Sequence, residues 1–316
     1  MSRGHPAALF ALRPASVSRT RSHTSRGFGV VFAYRKTFST CRIHDQFIRT
    51  PRKQETFMRF EHLIVSLDGP VLRVTINRPD KRNALSSEAL GELARAFSQQ
   101  ATNEKVKLAI LTGAGQHNFA AGGDLKKLAD VRSEAQTHDM VKGAREALDS
   151  IRRFPVPVVA ALNGDALGGG AELAVACDFI VAAHGARIGF IQGRLNISTA
   201  WSGGIRLLER VGVPRALRLL CRAELVGGEE ALAIGLVDAV AADGETLEDA
   251  VQAFCKPILG QTRRVLGAFK ELARAHGDGQ PRAALDAIEV RRFVDAWLHD
   301  DHWQAADRVL SDRRSK

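Results

Sequence analysis

Val158-Val159-Ala160-Ala161-Leu162-Asn163-Gly164-Asp165-Ala166-Leu167-Gly168-Gly169-Gly170-Ala171-Glu172 passes from five apolar residues, through the densest glycine cluster of the chain, into the apolar run Leu173 to Cys177. A short apolar run bounded by turn formers reads as a buried strand, and the glycines mark its junction with a helix. Glycines at such a junction let another molecule approach the backbone. The first N–H groups of the helix point outward with the positive end of its dipole behind them, so the junction favours an anion. The same glycines would also serve a tight turn that needs positive φ angles. A dinucleotide fingerprint of the G-x-G-x-x-G kind is excluded: the strand is not the chain's first, and no acid closes a second strand to take a ribose.

Outward from this stretch, strand, loop and helix recur. On its N-terminal side the pattern predicts a helix from about Glu134 to Arg153, closed by Phe154-Pro155-Val156-Pro157. Before it come a buried-type strand, Val106 to Thr112, and a loop from Gly113 to Gly123. Farther upstream, Ser86 or Ser87 caps an amphipathic helix through about Thr102, preceded by a hairpin of His62 to Leu67 and Val71 to Asn77. Within the loop, His117-Asn118-Phe119-Ala120-Ala121-Gly122-Gly123-Asp124-Leu125 again places small residues at a strand end. Two backbone N–H sources can then converge on one oxygen, which is the composition of an oxyanion hole. Loss of one such donor costs about 10²- to 10³-fold in rate, so a pair can carry much of the catalysis of an enolate-forming reaction.

Composition sets the outer limits. The 316 residues are 45% apolar and 25% charged, which excludes collagen, coiled coil and disorder for the whole chain. Cys41, Cys177, Cys221 and Cys255 show no CxxC or Cys/His spacing, which argues against structural zinc and for a reducing compartment. The net charge of +10 is not spread evenly: residues 1–57 hold eleven basic and two acidic side chains, the other 259 hold 34 and 33. The body is therefore neutral, which argues against a nucleic-acid partner. The basic segment, without an acid before Asp45, is open to three readings: a mitochondrial-type presequence, a disordered basic tail, or an extension upstream of a start at Met58. The body is expected in the cytoplasm, or in the mitochondrial matrix if that segment is a transit peptide. No membrane span is expected.

Asn77-Arg78-Pro79-Asp80-Lys81-Arg82-Asn83-Ala84-Leu85, Phe119 to Asp124, and Pro157 to Asp178 resemble, in order and spacing, the three signature segments of the crotonase, or enoyl-CoA hydratase/isomerase, superfamily. The resemblance covers about residues 60–314. It implies an α/β fold, the crotonase (ClpP-like) spiral of repeated ββα units over residues 58–255, with a helical C-terminal lid and oligomerisation region over 256–316. It also implies a coenzyme A thioester substrate, no separate cofactor or metal, and a homotrimer or a hexamer built as a dimer of trimers.

Carried over by position, the oxyanion donors fall on Gly123, where the family usually has Ala, and Gly169. The CoA contacts fall on Arg78, Lys81 and Arg82 near the phosphates and on backbone of the segment before Gly123 near the adenine. The implied substrate-contacting set is completed by Ala84, Ala121, Gly122, Asp124, Leu125, Gly168 and Trp201. Lys81 and Arg82 would serve equally as solvated loop charges, and Asp124 reads better as a helix N-cap than as a catalyst. His117 and His184 read as surface residues.

Hydratases of this family hold and activate one water with two glutamates. The first matches Glu172. The second falls on Gln192, and no Asp or Glu lies between Asp178 and Glu209 to replace it. An amide can orient a water but cannot exchange a proton near neutral pH, so two-glutamate hydration is disfavoured. One carboxylate with an oxyanion hole suffices for double-bond shift, elimination, or loss of CO₂ from a malonyl-type thioester. Trp201, in Ala200-Trp201-Ser202-Gly203-Gly204, resembles the ethylmalonyl- and methylmalonyl-CoA decarboxylase-like branch; a packing role would place it there too. Arg194 could hold a substrate carboxylate bidentately or stand solvated. The reading from another class is a non-enzymatic RNA-binding or scaffold relative, for which only the basic tail speaks. Downstream, helices are expected over about Thr246–Leu259, Thr262–Ala275 and Ala283–Leu298, with Phe293, Trp297 and Trp303 as oligomer or core contacts.

Overall fold

The computed structural model describes residues 55–56 and 60–314. Apart from Glu55–Thr56, the basic segment 1–57 and its three readings lie outside the described residues. Those two residues form a short edge strand, β1, antiparallel to β2 (Leu63–Asp68). β2 turns at Gly69-Pro70 into β3 (Val71–Ile76), with Asp68 opposite Val71, and leads to α1 (Ser87–Gln100). Ser86 caps α1 by accepting from the Ala89 amide at 3.3 Å, as its residue type predicts.

The same strand, strand, helix unit then repeats. β4 (Leu108–Gly113), β5 (Asn118–Ala120) and α2 (Glu134–Arg152) form the second; β6 (Val158–Leu162), β7 (Asp165–Leu167) and α3 (Gly169–Val175) form the third. β8 (Phe179–Ala182) and β9 (Arg187–Gly189) open a fourth, which passes through a 3-10 turn (Ile191–Leu195) to α4 (Gly203–Val211). α5 (Val213–Arg222), β10 (Val226–Gly227), α6 (Gly228–Ala233) and β11 (Ala239–Val240) complete the core. Four helices follow: α7 (Leu247–Leu259), α8 (Arg263–Gly277), α9 (Arg282–Trp297) and α10 (Asp300–Arg314).

The first strand of each unit enters one sheet, in the order β1-β2-β3-β4-β6-β8-β11; the second strand of units two to four enters another, β10-β9-β7-β5. β3, β4, β6 and β8 pair in parallel. β4, β6 and β8 are covered on both faces, which explains their largely apolar sequence, whereas β3 alternates buried and half-buried residues. Alternate residues divide between two cores. Ala109, Leu111, Val158, Ala160, Leu162 and Ile180 join the main cluster, whereas Leu108, Ile110, Val159, Ala161 and Val181 meet Ala250, Val251 and Cys255 of α7. The architecture is the α/β spiral with a helical C-terminal region that the motifs imply.

The differences from the sequence pattern are local. β5 lies inside the stretch 113–123 read as a loop, and β7 inside the glycine cluster, because three residues are too few to show a two-residue period. The helix after the glycines begins at Gly169, four residues before the apolar run that announced it. Among the described residues no helix is long and apolar enough to cross a membrane.

Candidate active site

Two asparagines fasten the loops that build the site. Asn83 accepts from the Arg78 amide at 3.1 Å and donates to the carbonyls of Ala114 and Asn118 at 2.9 and 2.7 Å. Asn163 accepts from the Gly113 amide at 3.0 Å and donates to Gly115 and Asn118 at 2.9 and 3.0 Å. The strand end near Leu85 is then laid against the segment after β5: the Leu85 amide donates to Gly122 at 2.8 Å and the Asp124 amide to Leu85 at 3.0 Å. Gly122 stands at φ +97°, and a Cβ there would lie 3.4 Å from the Gly169 nitrogen and 2.9 Å from the Leu167 carbonyl. The first glycine loop thus abuts the second at the start of α3. Neither the Gly123 nor the Gly169 amide donates to an acceptor among the described residues.

Trp201 closes one side of this junction. A Cβ on Gly169 would lie 2.3 Å from its Cζ3, and one on Gly123 would lie 3.8 Å from its Cη2, so one indole ring abuts both glycines. The ring is buried in the main core, which makes it both a packing residue and a wall of the site.

Glu172, on the first turn of α3, is 3% exposed. One carboxyl oxygen accepts from Gln192 Nε2 at 2.9 Å; the other accepts from the amides of Trp201 and Gly203, both at 2.9 Å. Burial pushes the carboxyl above its usual range; the N–H bonds from Gly203, Gln192, Trp201 and Ala200 oppose that push without cancelling it. Gln192 is itself 91% buried, and its Oε1 receives no donor from the protein. A buried carbonyl oxygen without a donor is costly, and this one belongs to the side chain that donates to Glu172.

The basic residues separate. Arg78 is buried: it donates to Asp124 at 2.8 Å and to the Ala84 carbonyl, which removes it from the solvent side where a phosphate would lie. This corrects its expected place among the phosphate contacts; Lys81 and Arg82 remain exposed. Asp124 caps no helix, because only turns follow it; instead it holds Arg78 and receives the Lys127 amide at 3.5 Å. Burial opposes its charge, but the Arg78 hydrogen bond, the Lys127 amide and the charges of Arg78 and Lys81 hold its carboxyl below the usual range. Ala84 and Ala121 are half-buried, Gly168 is buried, and Leu125 projects at 60% exposure. His117 and His184 are exposed, as expected. Arg194 donates to the Ala223 carbonyl at 2.8 Å and does not reach the Glu172 side of the site.

A cavity of about 230 Å³ opens beside Glu172 and Trp201, between α2, α3 and α4. Arg145, Arg152 and Arg206 stand on its wall with Asp149. None of these four was marked by the sequence reading, since Arg145, Asp149 and Arg152 on α2 and Arg206 on α4 look like ordinary polar helix faces.

Comparison with known proteins bears directly on this arrangement. A family model described as enoyl-CoA hydratase/isomerase matches residues 67–310. A probable enoyl-CoA hydratase of Bacillus subtilis (strain 168) is 31% identical over 250 residues, spanning 79% of this chain and 96% of that protein. Carnitinyl-CoA dehydratase of Escherichia coli (strain K12) is 34% identical over 244 residues, spanning 76% and 92%. The crystal structure of an enoyl-CoA hydratase from Bacillus anthracis superposes with a TM-score of 0.74 at 29% identity, covering 80% of this chain and 97% of that one.

Proposed function

This chain belongs to the enoyl-CoA hydratase/isomerase family, whose enzymes act on CoA thioesters, and from that premise we propose that it grips a thioester carbonyl oxygen between the amides of Gly123 and Gly169 while Glu172 moves one proton. Neither amide donates to an acceptor among the described residues, the two loops meet at Gly122, and one indole ring abuts both glycines. Negative charge that develops on the oxygen as an enolate forms is then met by donors already in place. Glu172, with its raised pKa, is a stronger base than an exposed carboxylate when ionised and a ready donor when protonated. It can take a proton from one carbon of the acyl chain and return it to another, which shifts a double bond.

The observation that favours isomerase or lyase chemistry over hydration is the pairing of Glu172 with an amide, Gln192, in place of a second acid. Gln192 can fix the Glu172 carboxyl and accept from a substrate or water donor through Oε1, but it cannot take a proton itself. Asp149 on the same cavity wall is held by Arg152 at 3.2 Å and Arg153 at 3.6 Å, which commits that carboxylate elsewhere. Loss of CO₂ from a malonyl-type thioester is the second reading. There the departing carboxylate leaves the enolate behind and the Glu172 proton goes to the α-carbon; Trp201 against both glycines supports it by excluding water.

Crotonyl-CoA, a 3-enoyl-CoA, methylmalonyl-CoA and ethylmalonyl-CoA, offered separately to the purified chain, distinguish these reactions. Double-bond shift or decarboxylation is expected to outrun hydration of crotonyl-CoA, and fast hydration would contradict the one-carboxylate reading. Gln192→Glu supplies the missing acid and is expected to raise crotonyl-CoA hydration by about 10²-fold, the low side of what a placed acid or base contributes. An unchanged rate would show that residue 192 does not face the reacting water.

The assembly proposed is a trimer or a hexamer. α9 buries none of its residues within the chain, and Val290, Phe293 and Leu298 stand 63%, 61% and 73% exposed. A helix with that apolar face requires a partner surface. Sedimentation is expected to give three or six times the mass of one chain, and a monomer at micromolar concentration would contradict it.

A further inference from the structure

We propose that Ser202 is a positioning residue for Glu172: its left-handed backbone aims the amides on either side of it at one carboxyl oxygen, and the carboxylate in turn caps α4. This rests on the reading of Glu172 as the proton-transfer group and identifies what holds that group in place. Ser202 stands at φ +75° and ψ −2°, a conformation that glycine reaches freely and other residues only with strain. Its neighbours Trp201 and Gly203 donate to the same oxygen of Glu172, each at 2.9 Å. In extended backbone the N–H groups of residues two apart stand about 7 Å from each other, too far to share one oxygen. A turn of the opposite hand gathers them into a concavity that suits an anion.

The serine hydroxyl does not account for the residue's place. Ser202 is the N-cap of α4, yet its side chain makes no capping bond. Glu172 takes that position from another element, accepting from Gly203, the first residue of the helix. The fit is close: a Cβ on Gly203 would lie 2.3 Å from Glu172 Cγ. The positive end of the nine-residue helix therefore meets the carboxylate and favours its ionised form. Three of the four donors that oppose the effect of burial on Glu172 belong to this loop, the amides of Gly203, Trp201 and Ala200; the fourth is Gln192. Arg145 of α2 steadies the loop from outside by donating to the Ala200 carbonyl at 2.7 Å. The other charged groups on the cavity wall beside Glu172 are paired elsewhere, Asp149 with Arg152 and Arg206 with Glu209.

Infrared titration of the full chain without substrate tests this. The carboxyl band of Glu172, assigned by its absence in Glu172→Gln, gives the protonation midpoint as pH is varied. Ser202→Thr keeps the hydroxyl but branches at Cβ, which a left-handed backbone tolerates poorly. The flanking amides are expected to swing off the carboxylate and the midpoint to rise by at least about one pH unit, the low side of what one hydrogen bond to a charged group contributes. Ser202→Gly removes the hydroxyl and keeps the backbone, so its midpoint is expected to match the wild type, and this arm keeps the test open should the threonine variant fail to fold. A midpoint unmoved in Ser202→Thr, or raised in Ser202→Gly, overturns the role of the backbone at residue 202. Because no turnover is measured, the two readings fail separately: an active Glu172→Gln chain would remove Glu172 from proton transfer, while the midpoints still decide whether Ser202 positions the carboxyl.

Discussion

Glu172→Gln is expected to lower turnover of the CoA thioester by about 10²- to 10⁴-fold, the usual share of a placed proton-transfer group, while making the folded chain more stable at neutral pH. The two effects share one cause. The Glu172 carboxyl is buried, and burial holds its pKa in the folded chain above the usual carboxylate range. A carboxyl whose folded pKa is raised favours folding fully only below its unfolded pKa, where it is protonated in both states. As pH rises through the unfolded and then the folded value, the unfolded chain releases the proton first, and stability falls. Gln mimics the protonated form at every pH: its oxygen accepts from the Trp201 and Gly203 amides, and its NH₂ donates to Gln192 once that amide turns to present Oε1. The melting temperature of the variant should therefore exceed that of the wild type at pH 7, with the difference fading below about pH 4.5. Activity loss without the stability gain would mean that the carboxyl is ionised and well solvated; more than a tenth of the activity retained would remove Glu172 from proton transfer.

Gly169→Ala is expected to cost about 10²-fold in kcat, through displacement and without loss of a hydrogen-bond donor. The added methyl would lie 2.3 Å from Trp201 Cζ3, a distance that no Cβ tolerates, so either the indole or the start of α3 must shift. Trp201 cannot move freely, because its ring is buried in the main core. The Gly169 amide is then displaced from its partner on Gly123, and misplacement by about 1 Å is enough for a loss of that order. Trp201→Leu removes the ring that the methyl meets. The double variant should recover at least about tenfold relative to Gly169→Ala alone, a coupling that two independent lesions would not show. Additive losses would place the damage somewhere other than this contact.

How much of this was legible beforehand follows the length of each signal. Val158–Leu162 is five apolar residues between turn formers, and the structure forms a strand over those five. α1 is capped by Ser86, one of the two serines that the sequence marks, and α2 by Ser133, which forms a capping box with Gln136. The second sheet was not legible, because β5, β7 and β9 hold three residues each. Arg78 misled for another reason: a guanidinium in a loop motif reads as solvated, and its carboxylate, Asp124, is 46 positions away. Asn83 and Asn163 were passed over because their work is done on backbone carbonyls, which carry no residue identity. Glu172 and Gln192, by contrast, were placed by the family resemblance, position by position, and they meet at 2.9 Å, since both follow short, rigid elements of the third and fourth units. The Arg145 cavity needed three helices to be assembled before its residues became neighbours.

The claim on which the rest depends is that two main-chain amides hold the thioester oxygen. An isotope-edited infrared spectrum of a ¹³C-carbonyl acyl-CoA bound to the Glu172→Gln chain measures it, because hydrogen bonds to a carbonyl oxygen lower its stretching frequency. Capture by Gly123 and Gly169 predicts a single sharp band well below that of the same thioester in water. A band at or above the aqueous frequency would contradict it.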